Sequence, residues 1–410
     1  MLVQCLALAA VLGSSKVAYP DNSAYDASLA SYYSAQQEAI RPACVVFPQT
    51  TGDVSDIVKT LAKEGVSDFA IRSGGHTSWA GASNLAGGVT LDLRGLNSVE
   101  VSGRRRISTR GRVAGVGVGG LTLGGGISHL SPQHGWTCDT VLNFEVVLSD
   151  GQVVEANARE NADLFFALRG GGNNFGIVTR IDLQTFEQGL VWSASLMCDT
   201  SALDATVQEY IRLAASPDYD EHASFLLSFA HIGAMSMSVI ADSLLYTEPI
   251  ENPPIYGNLA KIPSLQSSGS LKNMSAVAAD TGAMVPKGAR SLYRTVTLAA
   301  TEAVLHAVHE VWSDAARAIT KVPGITWVIS FDPLPPAFYA RHAGSNALGL
   351  TGRDGKALLV ALLDVRWSDA ADDELVTSTA KTLFENVRMS PISKTLCFVL
   401  GFSTPATDQS

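Results

Sequence analysis

Basic residues are in the minority: 29 Lys and Arg stand against 39 Asp and Glu in 410 residues, a net charge of −10. A chain of that sign is repelled by phosphate backbones, which argues against general nucleic-acid binding. Long apolar runs are missing as well, and no stretch approaches the roughly 20 residues that cross a bilayer. There is no internal repeat and no low-complexity tract, and with 46% hydrophobic residues a disordered or collagen-like chain is excluded. What remains is a globular chain long enough for two or three domains and a sizeable core.

The opening MLVQCLALAAVLGSSKVAYP has no Lys or Arg ahead of its apolar stretch, which a secretory signal normally carries. Two readings stand. Leu2 to Leu12 is either a signal-like segment or a helix of the mature fold stopped by Gly13, and the helix is the stronger. Cys5 and Cys44 are either a disulfide tying that helix to the domain body or two buried thiols.

Along the chain, Cys44 to Phe47 reads as a strand, Thr51 to Lys63 as a helix with Val54, Ile57, Val58 and Leu61 on one face, and Phe69 to Arg72 as the next strand. Gly88 to Leu93 alternates as a strand should. Phe144 to Leu148 and Gln152 to Glu155 form a hairpin around Asp150-Gly151. Asp163 to Leu168 is a short helix before the strand Ile177 to Leu183. Beyond Gln188 the glycine density falls. Strands at Ser224 to Phe229 and Met235 to Ala241 then mix with long helices at Glu302 to Ile319 and Asp369 to Val387. This change of texture sets a boundary: residues 1–188, residues 189–388, and a divergent tail at 389–410.

Three glycine clusters fall in the first half: Arg72 to Gly81, Gly115 to Gly126 and Arg169 to Gly176. Glycine permits close backbone approach and positive φ, so successive N–H groups can converge on an anion. Three clusters carry a large chain-entropy cost, and a phosphate-bearing cofactor accounts for it. The middle cluster contains G-x-G-x-x-G at Gly115, Gly117 and Gly120. A Rossmann site is rejected, because more glycines, Gly124 to Gly126, stand where the helix should follow. No Walker lysine follows any cluster. A non-Rossmann dinucleotide site is left.

Four segments carry a resemblance: RSGGHTSWAG from Arg72, GVGGLTLGGGIS, Gly135-Trp136-Thr137-Cys138-Asp139, and LFFALRGGGNNFGIVT. Their wording resembles the berberine-bridge-enzyme-like FAD-linked oxidases of the vanillyl-alcohol-oxidase (PCMH-type FAD) superfamily, fungal members above all, and the likeness runs from about Cys5 to Trp367. It implies an α+β fold: a two-subdomain PCMH-type FAD-binding domain plus an antiparallel-sheet substrate domain backed by helices. It also implies the helical reading of the N-terminus, a Cys5–Cys44 disulfide and a secretory or secreted location.

By the same resemblance, Ser73, Gly74, Gly75, Thr77 and Gly81 match the loop around the FAD pyrophosphate, and His76 matches the histidine bonded to the flavin 8α-methyl. A neutral imidazole is a nucleophile near pH 7, and a covalent tether raises the flavin's oxidising power. Gly119, Gly120, Gly124 and Gly125 match a second cofactor loop. Asp139 and Val141 match the segment over the isoalloxazine, and Gly172, Asn174, Gly176, Ile177 and Val178 the strand along the adenine side.

The chain departs from the family in three places. Asn97 to Gly111 leaves no room for a strand and helix that the family carries there, and no Cys stands at 104–117 for a second flavin link. Arg104, Arg105, Arg106, Arg110 and Arg112 are read as a solvated connection rather than a nucleic-acid patch. After Arg388 the family's Tyr-x-Asn-Tyr-type strand and returning cover are not found. The substrate-domain base is not assigned by any local motif, with Tyr293, Tyr339 and the histidines as candidates. His306 and His309 lie at i, i+3 on a helix, but no carboxylate or Cys cluster supports a metal, so no metal site is expected. Cys138 is expected as a packed thiol, Cys198 and Cys397 have no evident partner, and Asn273-Met274-Ser275 is a glycosylation sequon.

The expected activity is FAD-linked oxidation of a small alcohol, amine or activated C–H, with dioxygen as acceptor, in a secondary-metabolite pathway. The alternatives are a truncated, catalytically impaired paralogue and an FAD-independent small-molecule-binding protein. The sequence sets no oligomeric state.

Overall fold

The computed structural model describes residues 2–65, 68–101, 106–108, 111–351 and 355–389. The N-terminal segment is a helix, Leu2–Leu12, that stops where Gly13 takes φ 91°. It buries Cys5 and Leu8 against the helix Thr51–Lys63, and a disulfide joins Cys5 to Cys44. That second helix starts at a reciprocal cap: the Thr50 hydroxyl accepts from the Asp53 N–H at 3.1 Å, and the Asp53 carboxylate accepts from the Thr50 N–H at 3.1 Å. Its apolar face of Val54, Ile57, Val58 and Leu61 is buried, as the 3.6-residue period requires.

Two small sheets, with a two-stranded ribbon of Arg106–Ile107 and Phe186–Glu187 beside them, build the first half. In one, Cys44–Val46, Val89–Asp92 and Phe69–Arg72 run parallel in that order, with Val17–Ala18 antiparallel at the edge. In the other, Val141–Val147 is flanked antiparallel by Val153–Asn157 and Ile177–Leu183. The hairpin between Val147 and Val153 turns at Gly151, with φ 80°.

The second half is organised by one seven-stranded antiparallel sheet. Its order is Gln266–Lys272, Val191–Asp199, Met237–Tyr246, Ala223–Ile232, Thr326–Leu334, Leu358–Trp367, Arg290–Ala299. Side chains alternate between its faces. Leu227, Phe331, Ala361 and Val296 form a row across four strands and bury against the helices Leu203–Ala214, Glu302–Ile319 and Asp373–Met389. The opposite face is polar in places: Ser228 and Ser330 share a 2.8 Å hydroxyl contact, and Asp364 lies between Val328 and Tyr293. No helix among the described residues is long and apolar enough to cross a membrane.

Two expectations need correction. A short helix, Val118–Leu123, does form inside the middle glycine cluster, with Gly124 as its C-cap; its glycines concealed it. Arg112 is not part of a solvated connection. It is mostly buried, and its guanidinium makes a two-pronged ion pair with Asp332, one arm at 3.0 Å. The sheet supplies a carboxylate that the local sequence gives no sign of. Arg104, Arg105, Arg110, Cys397 and residues 390–410 lie outside the described residues, as does the Arg106 side chain.

Candidate active site

The first glycine loop leaves the parallel strand Phe69–Arg72 and passes His76. The backbone N–H groups of Gly74, Gly75, His76, Thr77 and Ser78 have no hydrogen-bond partner among the described residues. Gly75 and Ser78 are buried and the other three half-buried, and amides shielded from water are ordinarily paired, so such a run offers free donors to anionic oxygens. Beneath it lies Arg72, fully buried. Its guanidinium donates to the Ser28 carbonyl at 2.6 Å and the Ser31 hydroxyl at 2.8 Å, sits 3.6 Å from the Asp92 carboxylate and stacks 3.8 Å over the Tyr32 ring. Gly75, at φ 81°, has no room for a Cβ above that cation.

The three clusters meet. A Cβ on Gly74 would fall 2.5 Å from the Gly117 Cα, so the first two loops touch main chain to main chain. A Cβ on Gly119 would fall 2.7 Å from Ser73 Oγ. Gly120 and Gly119 lie in the first turn of Val118–Leu123, and the Gly172 N–H donates to the Leu123 carbonyl at 3.0 Å, which brings in the third cluster. This close glycine packing around open amides fits the diphosphate of a dinucleotide. Gly81 is held at φ 88° by its N–H bond to Gln37 Oε1, and the Thr77 carbonyl accepts from Ser34.

Other predicted residues are engaged elsewhere by their side chains. Asp139 accepts from the Trp136 N–H at 2.9 Å and from Asn346 at 2.7 Å, and burial raises its pKa. Gly125 packs on Leu348. Val141 is buried at the start of its strand; Ile177 and Val178 pair with Val147 and Val146, where Gly176 lets the strands close. Asn174 is exposed and, among the described residues, its side chain bonds within its own loop, to the Gly171 carbonyl. Cys138 is buried, and burial pushes its thiol pKa up.

His76 is held by Tyr33, which the sequence did not single out, and lies beside Tyr293, one of the candidate bases. Tyr33 stacks on its imidazole at 4.0 Å and 15°, and Tyr293 lies parallel to both at 6.0–6.2 Å. Tyr33 is anchored by its own backbone: its N–H donates to the Gly75 carbonyl and its carbonyl accepts from the Gly288 N–H. Burial lowers the His76 pKa, so the imidazole is neutral at neutral pH.

Tyr293 belongs to the edge strand Arg290–Ala299, and its register partner is Asp364. Burial pushes the Asp364 carboxyl up to about 6, with Arg366 acting in the opposite direction. One Asp364 oxygen has no hydrogen-bond partner and sits 3.8 Å from the Arg366 Nε. Burial and the neighbouring Asp364 charge raise the Tyr293 pKa, so its phenol stays protonated. A sequence signal for this pair existed: LLVALLDVRW is an apolar strand broken by two charges at i, i+2, hence on one face.

Tyr339, the other candidate base, is buried in a separate cluster with Trp136 and Phe338. His129 is also buried, 3.0 Å from Ser224, and is held down to about 3 by burial and the nearby Arg112 charge. His309 packs on Phe229 and Trp312, and among the described residues no three His, Cys, Asp or Glu side chains are grouped as metal ligands.

A cradle of glycine amides, a half-buried neutral imidazole at its rim and a sheet above it define the class: an FAD-dependent oxidoreductase. The comparisons agree. Residues 42–114 and 110–157 match the FAD binding domain family. The chain is 30% identical over 420 residues to the FAD-dependent monooxygenase CTB5 of Cercospora beticola, covering 93% of this chain and 79% of that protein. It is 45% identical over 388 residues to the oligopeptidase PhomG' of Diaporthe leptostromiformis, but spans only 32% of that protein's length. The glucooligosaccharide oxidase of Acremonium strictum, described as carrying 6-S-cysteinyl, 8α-N1-histidyl FAD, shares the fold. Its TM-score is 0.73 at 18% identity, over 93% of this chain and 87% of that one. The chain belongs to the fungal berberine-bridge-enzyme-like family of FAD-linked oxidases.

Proposed function

We propose that FAD is bound covalently to His76 and that a small organic alcohol, amine or activated C–H compound is oxidised between it and the sheet face bearing Tyr293 and Asp364. The observation that carries this reading is the buried Asp364 oxygen beside Tyr293, which has the Arg366 Nε at 3.8 Å but no hydrogen-bond partner among the described residues, and the Tyr293 ring lies 6.2 Å from His76. A buried carboxylate oxygen without a hydrogen bond is costly, and a substrate donor would complete it.

Ser73 to Ser78, Gly119, Gly120 and Gly172 are the groups that would hold the cofactor. When bound, FAD supplies a two-electron acceptor that dioxygen can regenerate. The chain's own residues do the rest. Tyr33 fixes the plane of the His76 ring. Asp364, ionised above a pH of about 6, takes the proton from the substrate directly or through the Tyr293 hydroxyl. Arg366 balances the charge. The apolar rows around Val328 and Leu362 exclude water and orient the substrate. The Arg112–Asp332 pair ties the approach to the second glycine loop to the sheet, fixing the distance between cofactor and base.

Dioxygen as acceptor, a secondary-metabolite substrate and a secreted location rest on family resemblance; the Cys5–Cys44 disulfide supports the last. The change of architecture near Gln188, just before the first long strand of the seven-stranded sheet, supports the proposed domain boundary there. The test is direct. Protein precipitated with acid should keep its yellow colour, and His76→Ala should release the flavin to the supernatant; colour retained in the H76A pellet refutes the linkage. Peroxide released in step with product marks an oxidase, whereas label from isotopic dioxygen in the product marks a monooxygenase, the activity for which CTB5 is named.

A further inference from the structure

The sequence contains a single Asn-x-Ser/Thr tripeptide with x other than proline, Asn273-Met274-Ser275, and the redox site makes no use of it. The fold carries it to the surface. Asn273 follows the edge strand Gln266–Lys272 and caps the helix Met274–Met284, with extended backbone at φ −80°, ψ 157°. Asn273 and Ser275 are both exposed.

The cap decides which end of the side-chain amide is free. Asn273 Oδ1 accepts from the Ala276 N–H at 2.8 Å. Nδ2 is therefore turned away from the helix, and no described residue bonds it. A second observation supports passage through the secretory pathway, as proposed above: the Cys5–Cys44 disulfide belongs to oxidising surroundings.

We propose that Asn273 is an N-glycan acceptor. The donor is a lipid-diphosphate-linked oligosaccharide. Asn273 Nδ2 forms a bond to the sugar C1, the bond from C1 to the phosphate oxygen breaks, the lipid diphosphate leaves, and Nδ2 gives up one proton; nothing is oxidised or reduced. The product keeps its amide oxygen and one N–H, so the helix cap survives modification. The glycan then stands at the end of a strand whose first five residues, Gln266 to Ser270, are exposed. An open sheet edge is a template for pairing with another chain, and a bulky hydrated group beside it blocks that approach.

The experiment expresses the full chain behind a secretion leader in a fungal host and compares intact masses before and after an endoglycosidase that releases N-glycans. The wild type should lose the mass of one glycan, with the release mapped to Asn273. Asn273→Asp and Ser275→Ala should lack it, while Ser275→Thr should retain it. Aspartate caps helices as well as asparagine does, so loss in the Asp variant with an unchanged melting curve is not misfolding. A wild-type mass that the enzyme leaves unchanged, or a glycan persisting in the Asp or Ala variant, overturns the proposal. Neither outcome depends on flavin.

Discussion

The two halves of the chain are held together by different means. Beyond Val191, one sheet and three helices share one large apolar core running from Trp192 to Val387, with two small clusters beside it around Tyr339 and around Val277. Before it, the apolar side chains divide into separate smaller cores, around Leu8 and Ile57, around Phe144 and Leu168, and around Tyr25 and Tyr32. Polar ties run among them: Arg72 to Ser28 and Asp92, Gln37 to Ser83, and Asn84 to the carbonyls of Gln37 and Ile40. The difference follows from what each half presents. A loop that keeps its amides open for a ligand cannot be sealed into an apolar core, so it is steadied from behind by hydrogen bonds. A sheet has two faces, and one can be packed dry while the other carries Tyr293 and Asp364.

If that division is right, perturbations on the sheet's two faces should separate cleanly. Asp364→Asn should lower kcat by roughly 10²–10⁴-fold, the span expected for a lost general base, with the melting temperature kept. The wild-type rate should rise as pH climbs through about 6, where the carboxyl gives up its proton, and the variant should lose that limb. A rate–pH profile in D364N that matches wild type puts the base elsewhere. On the dry face, Phe331→Ala removes a fully buried ring and should cost about 3–5 kcal/mol. Calorimetry should show the second half melting early while flavin stays attached to the first.

The converse perturbation strikes the first half. The Cys5–Cys44 link closes a separation of 39 residues, for which chain entropy gives about 4 kcal/mol and typical measurements 2–4. Cys5→Ser with Cys44→Ser should lower the transition of the first half alone and loosen FAD binding, measured by flavin fluorescence released on mild heating. A single transition shifted as a whole would mean that the two halves melt as one unit and would erase the distinction.

Much of this was legible locally. Thr51–Lys63 and Glu302–Ile319 declare themselves because period, cap and stop all lie within the segment. The glycine clusters were legible as a ligand site because nothing else explains so many costly residues. What was hidden is long-range. Tyr33 stacks on a ring 43 positions on, and Arg112 finds Asp332 220 positions away; neither has a neighbour in sequence that foretells it. The helix Val118–Leu123 was masked by its own composition, since glycine is a poor helix former that tertiary packing overrode. Asp364 and Arg366 fall between: their i, i+2 spacing on an apolar strand was visible, but which face they shared, and with what, waited on the sheet order.

The smallest effect should come from a carboxyl on the dry face, where the comparison predicts no polar chemistry at all. Asp242 pairs in register with Leu227 and Leu196 and is buried with them. Burial alone pushes it from 3.8 up to about 7. The unfolded chain therefore releases its proton before the folded one does. Between these two values the native state holds more protons, so stability falls as pH rises from about 4 to about 7 and is level above. Relaxation around the charge should leave a loss on the order of 1 kcal/mol, a few degrees or less for a domain of this size. Asp242→Asn cannot ionise, and should flatten the dependence of melting temperature on pH over that window without touching the rate–pH limb assigned to Asp364. A variant that changes the rate profile but leaves the melting profile alone would show that the two faces communicate, and the separation argued above would fail.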